Sequence, residues 1–174
     1  KVNCVIRRGV NEEQAAKLVH HFRGTDVTVR FIEFMDVGRT NGWTPGQVVP
    51  TSEIIDFLSK EFDLVPLMRE SPSDVASRWA HSDGSGEVGF ISSVSQPFCG
   101  DCVRARLSSD GKLFTCLFTT LGHDLSDLIR DGSDASELTE AITEVWTRRS
   151  DRYSEERSSD GHSLPKVEMS YIGG

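Results

Sequence analysis

Apolar positions alternate from the start of the chain. Val2, Val5 and Ile6 predict a strand over 1–8. Gly9-Val10-Asn11 turns the chain, and Asn11 with Gln14 reads as a helix start, the Asn capping and the Gln reaching back. The apolar spacing then becomes helical: Ala15, Leu18, Val19 and Phe22 form one stripe, ended by Gly24. A second strand rich in Val, Phe and Ile is predicted over 27–35. Strand, helix and strand joined by short turns make a βα-type unit, so the two strands should run parallel. Residues 36–50 are a Gly-, Pro- and Asn-rich loop carrying Trp43, placed where α/β proteins bind ligands.

Thr51 or Ser52 is expected to cap a helix through 62, with Ile54, Ile55, Phe57 and Leu58 as its buried face. Short strands follow near 64–68, 77–81 and 87–92, the last two joined by Ser82-Asp83-Gly84-Ser85-Gly86. A hairpin over 103–107 and 112–117 turns at Asp110-Gly111. Helices are predicted over 124–130 and 134–149, the second with Leu138, Ala141, Ile142, Val145 and Trp146 at helical spacing. The polar stretch 150–163 is expected to be a loose tether.

Composition narrows the class. With 37% hydrophobic and 26% charged residues among 174, the chain can bury a core. No run approaches the ~18 continuous apolar residues of a membrane span, so no membrane partner is expected. A net charge of −8 argues against a surface built to coat nucleic acid, while leaving room for a small basic pocket. The first residues carry no basic n-region or apolar h-region, and a cytoplasmic location is expected. Four unevenly spaced cysteines are too few for a disulfide scaffold and point to metal binding or catalysis. Cys4, mid-strand, reads as a small hydrophobe, and the adjacent His20-His21 diverge on a helix.

The candidate chemistry lies in Cys99, Cys102 and Cys116. A C-x2-C turn can place two thiolates on one ion, and the hairpin after it can return the third. Three thiolates suit a structural zinc completed by a fourth ligand, for which His123 is nearest, or an iron–sulfur cluster with one iron open to a non-protein ligand. Arg104 and Arg106 alternate with Ala105, so in a strand they share a face and form a local anion site. A non-catalytic interaction domain without metal is the third alternative.

Cys99-Gly100-Asp101-Cys102-Val103-Arg104-Ala105-Arg106-Leu107, then Asp110-Gly111-Lys112-Leu113 and Cys116-Leu117-Phe118, closely resembles the C-terminal cluster motif of the molybdenum cofactor biosynthesis protein A family, the GTP 3′,8-cyclases. Lys1-Val2-Asn3-Cys4-Val5, Arg30-Phe31-Ile32-Glu33-Phe34-Met35 and the terminal Gly173-Gly174 are similar to further segments of that family. The resemblance implies an α/β fold: the last βα units of an incomplete (β/α) barrel over 1–50, a small α+β cluster domain over 51–150, and a flexible tail over 151–174. It implies a radical S-adenosylmethionine enzyme acting on GTP, with a 4Fe-4S cluster on Cys99, Cys102 and Cys116 whose open iron holds the nucleotide. Lys1, Arg104, Ala105 and Arg106 would bind GTP, Met35 would lie against S-adenosylmethionine, and Gly173 and Gly174 would assist the chemistry. The product would pass to the partner protein C of the pathway, and a homodimer is one option for assembly. The second 4Fe-4S cluster of the family sits on a C-x3-C-x2-C motif that this sequence lacks, so the chain alone is expected to be inactive. The two barrel strands would be without neighbours, leaving an open edge.

Overall fold

The computed structural model describes residues 1–157 and 166–172. It divides into two compact units, Lys1–Met35 with Trp43–Cys102, and Asp36–Gly42 with Val103–Gly174. The first is a mixed sheet with helices; the second is a small antiparallel sheet with helices.

In the first unit, β1 (Val2–Ile6), α1 (Gln14–Phe22) and β2 (Val29–Glu33) form the expected parallel βα unit, with Cys4 opposite Phe31. The sheet continues through α2 (Thr51–Leu58), β3 (Leu64–Pro66), β4 (Ser77–His81) and β5 (Glu87–Ile91), in the order β1-β2-β5-β4-β3. The strands therefore come from both sides of residue 50. β5 runs parallel to β2 and antiparallel to β4. β2 is thus flanked on both sides, and of the two strands expected to lack neighbours only β1 forms an edge.

Burial alternates along β2: Val29, Phe31 and Glu33 are buried, while Arg30 and Ile32 are only partly so. The buried face packs with Ala15 and Val19 of α1, Ile54 and Leu58 of α2, and Val88 and Phe90 of β5. Phe31 is fully buried, with its ring 6.0 Å from that of Phe90. Cys4 is half-buried against this core, and burial pushes its thiol above the usual range.

Both predicted caps are replaced. Asn11 closes the turn after β1 instead, its Oδ1 accepting from Arg7 N at 2.9 Å and its Nδ2 donating to Val5 O at 2.9 Å. α1 starts later, at Gln14. At α2 neither the Thr51 nor the Ser52 hydroxyl caps; the Thr51 N–H donates to Glu33 Oε1 at 2.7 Å, and Thr51 Oγ1 accepts from Ser92 Oγ at 2.8 Å. A carboxylate at a helix N-terminus is favoured by the exposed amides and the helix dipole.

The second unit holds β6 (Arg106–Leu107), β7 (Lys112–Phe114) and β8 (His123–Asp124) in one antiparallel sheet, with α3 (Ser126–Arg130), α4 (Ala135–Thr147) and α5 (Tyr153–Glu156). The hairpin is shorter than expected, and β8 had no strand pattern to reveal it. Asp134 caps α4, its Oδ1 accepting from Ser136 N at 2.8 Å and Glu137 N at 3.0 Å, while Glu137 reaches back to Asp134 N at 3.1 Å. Leu113, Phe114, Phe118, Leu125 and Ile172 are buried. The stretch expected to be loose contains α5. Among the described residues no helix is long and apolar enough to cross a membrane.

Phe31→Ala should lower unfolding free energy by about 3–5 kcal/mol in urea titration. Val5→Ala, on the 46% exposed edge position, should change it by less than about 1 kcal/mol.

Candidate functional site

Three parallel strands end together in the first unit, and a buried carboxylate organises that end. Glu33, 0% exposed, accepts from Thr51 N, Val94 N and Ser95 N, each at 2.7 Å, and from the Ser95 hydroxyl. One side chain thereby fixes the start of α2 and the loop after β5 that leads to Cys99. Immediately beyond Glu33, Trp43 Nε1 donates to Phe34 O at 2.8 Å, and the Arg7 guanidinium lies over the Phe34 ring at 5.2 Å. Met35, the expected S-adenosylmethionine contact, is half-buried next in sequence.

The sheet face opposite the core borders a cavity of about 410 Å³ lined by Lys1, Thr28, Arg30, Asp74, Arg78 and Glu87, among others. Lys1, an expected GTP contact, stands here. Asn3, Arg30, Gly89 and Arg78 lie in register across four strands, and Arg30 Nε donates to Asn3 Oδ1 at 2.8 Å. Gly89 is needed because a Cβ there would come within 2.9 Å of the Arg30 stem. The sequence did not single out Arg30 or Arg78 as cavity residues; the alternation along β2 was the available signal for Arg30, since its neighbours Val29 and Phe31 take the core face.

The cysteines are thiols of intermediate exposure, with no disulfide between them. Cys99–Asp101 forms a 3₁₀ turn, with Cys102 N donating to Cys99 O at 3.2 Å. These two cysteines belong to the first unit and Cys116 to the second. The Phe118 N–H donates to Cys116 Sγ at 3.5 Å, a bond suited to a thiolate ligand. Partly exposed thiols with an amide directed at one sulfur are a donor set whose chemistry fits an iron–sulfur cluster. Among the described residues no group of three His, Cys, Asp or Glu side chains is assembled around a metal position. Arg106 opens β6 opposite Phe114, whereas Arg104 and Ala105 are exposed and precede the strand, so both arginines are not set by one strand as the alternation predicted. His123, the candidate fourth zinc ligand, sits in β8 opposite Leu113. Gly173 and Gly174 lie outside the described residues.

Within the second unit a second buried carboxylate, Asp36, gathers three partners. Its Oδ2 accepts from Tyr153 Oη and Lys166 Nζ, each at 2.6 Å, and its Oδ1 lies 2.8 Å from Arg157 Nη2. Tyr153 stacks on Phe118 with ring centroids 4.6 Å apart. Burial would raise the Asp36 carboxyl, but the Lys166 and Tyr153 hydrogen bonds and the Arg157 charge hold it below the usual carboxylate range. Burial would lower Lys166, and Asp36 and Tyr153 raise it instead. The Asp36 contribution to stability is therefore present above ~pH 3.9 and lost as pH falls through its depressed pKa. That of Lys166 is present below ~pH 10.4 and lost as pH rises through its raised pKa.

The molecule is a mixed α/β protein with a five-stranded mixed sheet in one unit and a small antiparallel sheet in the other. Residues 27–155 match the family described as Molybdenum Cofactor Synthesis C, and the chain belongs to that family. Over its whole length it is 52% identical to the GTP 3′,8-cyclase of Xanthomonas axonopodis pv. citri (strain 306), covering 52% of that protein. It is 45% identical to the GTP 3′,8-cyclase of Acidothermus cellulolyticus and 43% to that of Staphylococcus saprophyticus, in each case over all of this chain and 55% and 52% of the relative. The chain thus spans about half the length of the curated relatives it matches.

Glu33→Gln puts an amide donor where donors already converge. It should cost about 2 kcal/mol or more in chemical denaturation, and native-state hydrogen exchange should show faster exchange at Thr51, Val94 and Ser95. Unchanged protection of these amides would remove Glu33 from its organising role.

Proposed function

We propose that this chain is the carboxyl-terminal half of a GTP 3′,8-cyclase acting in molybdenum cofactor synthesis. The observation that carries the reading is the match to these cyclases along the whole chain. In this reading Cys99, Cys102 and Cys116 hold a 4Fe-4S cluster. With three protein thiolates, such a cluster supplies one iron able to take a donor atom of the nucleotide.

The remaining work falls to the chain's own side chains. Arg104 and Arg106 offer planar, permanently charged forks to phosphate oxygens, and Ala105 between them adds no bulk. Lys1 supplies a further cation from the cavity beside β1. Met35 contacts S-adenosylmethionine at the end of β2, and Gly173-Gly174 assist the reaction. The β1-α1-β2 unit is the last part of a barrel whose earlier strands, with the second 4Fe-4S cluster, come from a preceding half. GTP and S-adenosylmethionine are the small-molecule partners, and the cyclised product passes to a second protein of the pathway.

The test is a chimera joining the amino-terminal half of the Xanthomonas enzyme to this chain, reconstituted anaerobically. It should cyclise GTP in the presence of S-adenosylmethionine. Arg104→Ala should weaken GTP binding roughly 10- to 100-fold by calorimetry, the loss of one charge-assisted contact. Cys116→Ser should remove the visible absorption of the carboxyl-terminal cluster. Equal GTP affinity in both proteins, or an unchanged spectrum, would refute these assignments.

A further inference from the structure

We propose that residues 151–157 brace the third cysteine, and that Tyr153 is a positioning residue for Cys116, acting through the ring and the backbone amide of Phe118. This deepens, and rests on, the reading of Cys116 as a ligand of the 4Fe-4S cluster.

Cys116 follows β7 inside the second unit and is gripped on both sides. On one side the buried Thr115 donates its Oγ1 hydroxyl to Asp151 Oδ2 at 2.6 Å. On the other, the Phe118 N–H donates to Cys116 Sγ at 3.5 Å. Phe118 is itself buried, and its ring stacks on Tyr153 with centroids 4.6 Å apart and planes 19° from parallel. The Arg157 guanidinium lies 5.4 Å from the Phe118 ring centre and 5.6 Å from that of Tyr153, so one cation holds both rings. Tyr153 Oη donates in turn to Asp36 Oδ2 at 2.6 Å. The contacts run unbroken from a buried carboxylate, through a phenol and a pair of stacked rings, to an amide on a thiol sulfur.

That amide has geometry to lose. A bond from residue 118 to the sulfur of residue 116 lasts only while the backbone between them keeps its turn, and the segment after a three-residue strand has little of its own to keep it. The two flanking contacts supply the constraint. Tyr153 cannot swing away from Phe118 without leaving Asp36, and Asp36 sits among buried charges that hold one another in place. Groups behind a metal ligand fix its orientation, and hydrogen bonds to the sulfurs are among the factors that set a cluster's reduction potential. An amide aimed at a ligating sulfur stabilises the reduced, more negative cluster, so its loss lowers the potential. The stretch over 150–163 was expected to be a loose tether; its described part, through 157, instead holds both flanks of the third cysteine.

Two measurements on this chain test the proposal. Before reconstitution, NMR-detected hydrogen exchange at the Phe118 amide should be about tenfold faster in Tyr153→Ala, with β1–β5 unchanged, and close to native in Tyr153→Phe, which keeps the ring. After anaerobic reconstitution, Tyr153→Ala should keep its iron while the ratio of reduced to oxidised cluster at a fixed potential falls about tenfold, a downward shift of about 59 mV for one electron. Tyr153→Phe should restore the native potential. Phe118→Leu keeps the amide and loses the stack; it should show the same fall, and adding Tyr153→Ala to it should change little, because both act through one contact. Phe118→Leu also carries both measurements if Tyr153→Ala does not fold. Unchanged Phe118 exchange overturns the brace. Faster exchange with a native potential, a fall that Tyr153→Phe shares in full, or loss of iron from both Tyr153→Ala and Phe118→Leu overturns the positioning role and leaves the stack as packing. Failure of the unsubstituted chain to take up iron means the ligand reading has failed, and the positioning role with it, while the exchange result still decides whether the brace exists.

Discussion

A single carboxylate, buried at the end of a central strand, sets the order of the first unit. Glu33 has four donors around it and no exposure to water. Burying such a charge without partners would be prohibitive, so the donors must arrive together. They come from the start of α2 and from the loop after β5, segments far apart in sequence. The parallel register of β2 and β5 brings them within reach. Strand pairing, helix start and the approach to Cys99 are thereby one cooperative arrangement rather than three.

The chain repeats the device a short step later. Asp36 is also buried, but it is answered by cations and a phenol instead of amides. In sequence, Phe34 and Met35 are the two residues between these carboxylates.

Much of this was legible in the residues. Period-2 and helical apolar patterns placed β1, α1, β2 and α2, and Ser82–Gly86 marked the β4–β5 turn because glycines punctuate it. The cysteine spacing raised metal binding as a candidate, and the structure sets Cys99 on a 3₁₀ turn with Cys102 at its end. Long-range partners were hidden. Asn11 followed by Gln14 carries a capping signature, yet Asn11 bonds back to β1, and the cap of α2 comes from Glu33 in a different element. β5 reads as the second strand of a hairpin, and nothing local says that its other edge meets β2. β8 is too short to show a period. Lys166 and Glu168 sit in the tail expected to be flexible; their partners, at 36, 39 and 40, are separated from them by most of the chain. The run Arg104-Ala105-Arg106 shows the limit of alternation, since only Arg106 lies in a strand.

The proposed reading rests on the family relationship, and its central claim is that Cys99, Cys102 and Cys116 hold a 4Fe-4S cluster. The most direct test is the metal itself. The chain, purified and reconstituted without oxygen, should contain about four irons and four sulfides, and Cys99→Ser, Cys102→Ser or Cys116→Ser should each lose them. A colourless protein carrying one zinc per chain under the same conditions would contradict the account.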